Sequence, residues 1–145
     1  LPARRAAHDY GPVSVEPLEG IHMQMVTAFK LVVFERYAVF GGRAGRAEYW
    51  WFFLANLLVS LVFQVLAGAV DALVILSLIY SLALLIPGLA VAIRRLHDTN
   101  KSGWWILISL VPLVGIIVLI VFLATDGDPG ANQYGNPDPG LPAAV

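Results

Sequence analysis

The chain has no cysteine, which excludes disulfides, thiol nucleophiles and cysteine-ligated zinc, and leaves three histidines and scattered carboxylates as possible metal ligands. Charge is scarce as well: Asp, Glu, Lys and Arg make up 13% of the 145 residues, against about 25% in an average soluble domain. Apolar residues reach 59%, and the mean hydropathy is +0.76. A water-soluble domain of this length has too little interior to hide so much apolar surface. The net charge of −1 says little, because the charges are unevenly placed. Between Trp50 and Ile93 the sole charge is Asp71, and between Trp104 and Ala124 there is none.

As one helix, residues 50–93 would extend about 66 Å at about 1.5 Å per residue, roughly twice a hydrocarbon core of about 30 Å. The run must turn back, and Gly68-Ala69-Val70-Asp71 offers flexible backbone, a charge and an N-cap for the next helix. The reading is a tight hairpin of Trp50 to Ala69 and Ala72 to Ile93, then a third span from Trp104 to Ala124. Asn100 closes the second helix in a left-handed conformation and Ser102 caps the third. Lipid offers no partner for free backbone groups, so these runs must be helical. The fold class is an all-α integral membrane protein with three transmembrane helices.

All nine cations lie before the first span (Arg4, Arg5, Lys30, Arg36, Arg43, Arg46) or between the second and third (Arg94, Arg95, Lys101). The positive-inside rule then makes the N-terminus and the 94–103 loop cytoplasmic and sends the hairpin turn and C-terminal tail outside. Trp50, Trp51, Trp104 and Trp105 become interfacial anchors on the cytoplasmic side. Residues 1–22 read as a disordered or vector-derived extension. Residues 23–49 supply an interfacial amphipathic helix, near Met25 to Phe40, and a Gly/Arg-rich approach to the transmembrane domain at 50–124. The tail at 125–145 is rich in Gly, Pro, Asn and Asp and predicts turns. Asp126-Gly127-Asp128-Pro129-Gly130-Ala131-Asn132 lacks the closing glutamate of a calcium loop, so Asx turns are the better reading there.

Two segments concentrate chemistry. Arg43 and Arg46 stand three apart, either as a phosphate clamp or as topogenic charges beside the helix-start carboxylate Glu48. Arg94, Arg95, His97 and Asp98 follow the second span, and Asp98 is placed to be bridged by both arginines. A network joining this loop to Arg43, Arg46 and Glu48 is expected, with Arg43, Arg46, Arg94, Arg95, His97, Asp98 and Lys101 as candidates for binding anionic lipid or a partner protein. His97 beside Asp98 has neither nucleophile nor metal partner in the pattern, so neither catalytic nor metal-binding residues are assigned. Within the spans, Asn56, Ser60, Gln64 and Gly68 recur every four residues; with Ser77, Ser81, Gly88, Ser109 and Gly115 they predict helix-packing seams. No ionisable side chain lies at depth, which disfavours coupled transport.

Gly42-Arg43-Ala44-Gly45-Arg46-Ala47-Glu48-Tyr49-Trp50, then Arg94-Arg95-Leu96-His97-Asp98, Ser102-Gly103-Trp104-Trp105 and Asn132-Gln133-Tyr134-Gly135 together resemble the bacterial family of domain of unknown function 805, from about Met25 to Pro139. Tyr49 and Asn100 are mild departures, standing where the family often has Phe and Gly. The resemblance implies the bacterial inner membrane and carries no activity to transfer. The expected function is a non-enzymatic accessory or interaction protein with a basic cytoplasmic face. Anionic lipid, a larger membrane complex or a homo-oligomer are its partners; no cofactor and no nucleic acid are expected. The alternative is an oligomeric small-solute carrier or channel lined by Asn56, Ser60 and Gln64.

Overall fold

The computed structural model describes residues 17–141, which form helices and loops with no strand among them beyond a single bridge between Asn132 and Gly135. Residues 1–16 and 142–145, with Arg4, Arg5 and most of the expected extension, lie outside the described residues. α1 covers Pro17–Lys30 and passes into a π-helical turn at Leu31–Glu35; α2 covers Arg46–Ala67 and α3 Ala72–Asp98. A 3-10 segment at Gly103–Leu110 and α4 at Val114–Ala124 complete the chain before the tail.

The expected hairpin is α2 and α3, the two helices long and apolar enough to cross a membrane, with mean hydropathies of 1.9 and 2.4 over their most apolar windows. Only 6% and 17% of those windows is buried inside the protein. Helices so apolar in a soluble core would be covered, whereas Val65, Ile75 and Leu82 face outward, an arrangement suited to lipid. Asp71 does not cap α3 through its side chain as expected, because its backbone is already helical at φ −56°, ψ −35°; a capping side chain folds back only from an extended backbone. The first turn is held instead by the Val74 N–H on the Asp71 carbonyl at 3.0 Å.

Pro87 sits buried inside α3 and has no N–H to give the carbonyl of Ala83. The Tyr37 hydroxyl donates to that carbonyl at 2.6 Å, which answers the requirement that backbone groups in lipid find partners. α1 begins before the expected interfacial helix, so residues 17–22 are helical rather than part of a disordered extension; Glu19 in its first turn and Lys30 in its last suit the helix dipole. Ala28 and Val32 bury against Ala44, Phe52 and Val91 to make the small core, and Phe29 stacks on Phe52 at 5.9 Å. Met25 and Val26 share a groove with Ala55, Leu58 and Val59, so α1 follows α2 for two turns beyond Phe52.

The third apolar run is not one spanning helix. It breaks at Val111-Pro112-Leu113, where Leu113 takes φ +60° and the Val114 N–H closes a tight turn on the Pro112 carbonyl at 2.7 Å. α4 has 11 residues, about 16 Å of helix and roughly half a bilayer core. Gly115 lets it fold back on the 3-10 segment: a Cβ there would stand 1.7 Å from the Ile108 carbonyl oxygen. Trp105 meets Phe122 edge to face at 5.4 Å, bringing both ends of the run together. The tail therefore leaves from the same end as the 94–103 loop, and the expectation that the two lie on opposite sides is corrected. Leu110 and Leu113 at the tip are 77% and 76% exposed, which suits a hairpin dipping into lipid and not a loop in water.

Candidate functional site

α3 ends where the site begins. Asn100 at φ +57° closes it as expected, with the Lys101 N–H on the Leu96 carbonyl at 3.0 Å and the Asn100 N–H on that of His97 at 2.9 Å. Ser102 accepts from the Trp104 N–H at 3.4 Å and starts the 3-10 segment. The last turn of α3 thus carries Arg94, Arg95, His97 and Asp98 in a fixed frame against the 36–48 segment and the tail.

Asp98 is the hub. Its carboxylate accepts from Arg43 Nε at 2.9 Å and Arg95 Nη1 at 2.5 Å, and both guanidinium side chains are fully buried. Arg43 spends its other donors on the carbonyls of Asp98, Asp128, Gly130 and Gly135 at 2.6–3.3 Å. Arg95 donates to the carbonyls of Leu123, at 2.9 Å, and Thr125. These bonds sew the end of α4 and the tail to α3 and the approach to α2. Gly127 permits the seam, since a Cβ there would come within 2.0 Å of the Asp98 carboxylate.

Glu48, fully buried, is a second hub. It accepts from Arg94 Nη1 at 2.7 Å and Arg36 Nη1 at 2.8 Å. Asp138 in the tail takes the Gly45 N–H at 3.1 Å, placing a carboxylate at the start of α2 where the dipole favours it, and approaches Arg36 at 3.8 Å. His97 is 9% exposed, with Nδ1 3.0 Å from the Gly42 carbonyl and its ring stacked on Tyr134 at 3.8 Å. A carbonyl only accepts, so Nδ1 carries the proton. Asn132 holds the tail turn, donating to the His97 carbonyl at 2.9 Å and the Asp128 carboxylate at 3.0 Å.

The expected network therefore exists, with one member displaced: Arg46 points outward and pairs with the exposed Asp126 at 2.5 Å. Arg43, Arg94, Arg95, His97 and Asp98 are buried, so the exposed cationic face expected of them is corrected as well; burying a charge demands that its bonds be made inside, and here they are for every donor but Arg94 Nη2. Among the described residues, the accessible cations outside the two hubs are Lys30, Arg46 and Lys101, the last lying 4.9 Å over the Phe122 ring. Trp104 is 79% exposed and Trp105 46%, whereas Trp50 and Trp51 are half-buried. A groove of about 510 Å³ runs beside them, lined by Phe40, Leu89, Ile93, Trp104 and Leu107 with His97 and Tyr134 in its walls.

The polar residues of the spans behave less uniformly than expected. Asn56 accepts from Tyr80 at 2.8 Å and joins the two long helices, while Ser77, Ser81 and Ser109 bond to carbonyls of their own helical segments. Gly115 serves close packing, but Gly88 has nothing within 4 Å of an added Cβ and lines a groove of about 320 Å³ with Asn56, Ser60 and Ser81. Gln64 is exposed, and Gly68 belongs to the turn. Sequence reasoning missed Arg36, Tyr37, Asn132 as a tail clamp, and Asp138. The charge of Arg36 was visible, but it reaches Glu48 only through the fold, and its second partner, Asp138, comes from a tail expected on the other side.

No group of three or more His, Cys, Asp or Glu among the described residues is placed to hold a metal ion. The arrangement is a helical membrane protein whose motif charges clamp its tail to the end of α3 and the approach to α2, a class defined by fold rather than by reaction. The chain belongs to the family described as protein of unknown function (DUF805), whose model matches residues 37–136, a stretch containing both hubs. It is 48% identical over 107 residues to the inner membrane protein YhaI of Escherichia coli (strain K12), covering 73% of this chain and 91% of that protein. To YhaH of the same strain it is 41% identical over 120 residues, covering 77% and 95%. Both are named inner membrane proteins, which supports the same location for this chain. No solved structure matches it.

Proposed function

We propose that the protein is a non-enzymatic accessory component of the inner membrane. Its network end faces the cytoplasm, held at anionic headgroups by an exposed rim and presenting the clamped tail to a larger complex. The observation that carries this is the division of labour among the cations: Arg43, Arg94 and Arg95 are spent inside, while Arg46, Lys30, which lines a groove with Phe34, and Lys101, which lies over Phe122, remain accessible, and Trp104 and Trp105 are exposed. Cations and aromatics interleaved at the end of apolar helices suit a headgroup layer, and each exposed cation near an anionic surface contributes about 1 kcal/mol. The cytoplasmic placement rests on the clustering of Lys and Arg at this end. His97, bonded to Gly42 and stacked on Tyr134, serves the clamp, and this supports a non-catalytic reading.

The test is native mass spectrometry of gently extracted protein, comparing wild type with a Lys30→Gln, Arg46→Gln, Lys101→Gln variant. Wild type is expected to retain several-fold more anionic phospholipid at equal folded stability; equal retention overturns the rim. One observation favours the alternative of an oligomeric solute path, namely that Asn56, Ser60 and Ser81 share an open groove between α2 and α3. Solute flux in proteoliposomes that survives Asn56→Leu and Gln64→Leu would remove that path.

A further inference from the structure

Arg94 is 1% exposed and makes two anchoring bonds, Nε to the Val39 carbonyl at 3.0 Å and Nη1 to Glu48 at 2.7 Å. Its Nη2 is buried and has no hydrogen-bond partner among the described residues, unlike every other buried side-chain nitrogen or oxygen in them. Leaving such a donor unpaired is costly, more so for a charged group, so its persistence asks for an acceptor. Arg94 lines a cavity of about 230 Å³ between the 36–43 segment and tail residues 136–139. Its lining residues include Arg36, Arg43, Arg94 and Asn136, with Asp138 as the one acidic residue among them. Arg43 is fully engaged, and Asp138 is held by the Gly45 N–H, so the donors left over are Arg94 Nη2, the unbonded part of Arg36 and Asn136.

We propose that this cavity is a phosphate-binding site, in which a phosphate group accepts from Arg94 Nη2 on the α3 side, from Arg36 across the cavity and from Asn136 in the tail. Donors arriving from separate elements suit a tetrahedral oxyanion with several acceptor oxygens. The phosphate belongs either to a lipid headgroup or to a small phosphorylated solute, the shared chemistry being the oxyanion. In the first case the site deepens the headgroup reading above; in the second it stands apart from it. A phosphate bridging Arg94 on α3 to the tail also couples occupancy to closure of the clamp.

The experiment uses the full chain in dodecyl maltoside and phosphate-free buffer, with thermal unfolding and calorimetric titration against inorganic phosphate and, separately, short-chain phosphatidylglycerol. At least one probe is expected to bind and raise the unfolding temperature. Asn136→Asp, which puts a carboxylate in the cavity from an exposed position, is expected to weaken binding at least tenfold while leaving unfolding without probe unchanged. Arg94→Lys, which removes Nη2, should weaken it similarly. Binding of inorganic phosphate identifies the solute source, and binding of the lipid alone identifies the headgroup. If neither probe binds wild type, or if Asn136→Asp binds as wild type does, the site is overturned. The Lys30, Arg46, Lys101 variant keeps this cavity intact, so failure of the rim and failure of the cavity read out separately.

Discussion

Replacing Asp98 with Ala removes one carboxylate and strands two guanidiniums. Arg43 Nε and Arg95 Nη1 reach it at 2.9 and 2.5 Å, and neither side chain has solvent to turn to. Their remaining donors hold the carbonyls of Leu123, Thr125, Asp128 and Gly130, so neither can swing out without releasing the tail. A hydrogen bond to a charged group is worth about 1.5–3 kcal/mol, and removing one partner of a buried pair costs about 3–5 kcal/mol. With two cations orphaned at once, Asp98→Ala is expected to lose about 4–5 kcal/mol. Asp126→Ala, which breaks an exposed pair with Arg46, is expected to lose under about 1 kcal/mol. Denaturant unfolding in dodecyl maltoside, followed by tryptophan fluorescence, measures both, and limited proteolysis reports on the tail. A loss under about 1 kcal/mol for Asp98→Ala, or a tail cleaved no faster than in wild type, would refute the clamp.

Gly115→Ala drives a methyl into the Ile108 carbonyl and is expected to cost at least about 2 kcal/mol, whereas Gly88→Ala meets open space and should be tolerated within about 0.5 kcal/mol; the same unfolding assay compares them. Tyr37→Phe orphans the Ala83 carbonyl and should cost about 1–2 kcal/mol, but in a Pro87→Ala background the restored N–H takes that carbonyl and the tyrosine effect should shrink to a few tenths; a double-mutant cycle reads the difference. Because the chain has no cysteine, single cysteines at Asn100, Gln133 and Asp71 can be labelled cleanly in spheroplasts with an impermeant maleimide. Asn100→Cys and Gln133→Cys should be protected together and Asp71→Cys labelled, and labelling that separates Gln133 from Asn100 would sink the folded-back third run.

The hairpin was legible because a helix twice too long for a bilayer must turn, and only Gly68 to Asp71 offered a place. The end of α3 was legible because Asn tolerates positive φ and Ser102 caps from an extended backbone, both local properties. The pairing of Arg95 with Asp98 followed from helical spacing, and Glu48 was visible as a carboxylate near arginines. The path of residues 104–124 was not legible. Their apolarity reports that they lie in lipid, not whether they cross it, and the decision falls to Pro112, Leu113 and Gly115. A proline within an apolar run is compatible with a kinked span, and only the contact of Gly115 with Ile108 turns it into a return.

The error over the tail has a more general cause. The positive-inside rule counts lysine and arginine, and acids contribute little to it. A tail with Asp126, Asp128 and Asp138 and no cation is therefore compatible with either side, and it was sent outside only because residues 104–124 were counted as a full span. Once the third run folds back, the same acids acquire a purpose: Asp138 meets Gly45 and Arg36, Asp126 meets Arg46, and Asp128 receives Asn132. At the Glu48 hub the guanidiniums of Arg36 and Arg94 face the carboxylates of Glu48 and Asp138, while at the Asp98 hub those of Arg43 and Arg95 share one carboxylate and complete their bonds on backbone carbonyls. A buried network tends toward balance because uncompensated charge is expensive to desolvate. Charge at the Glu48 hub is therefore matched, and the donor on Arg94 that has no partner is an unmet demand of hydrogen bonding, which an acceptor oxygen in the neighbouring cavity would answer.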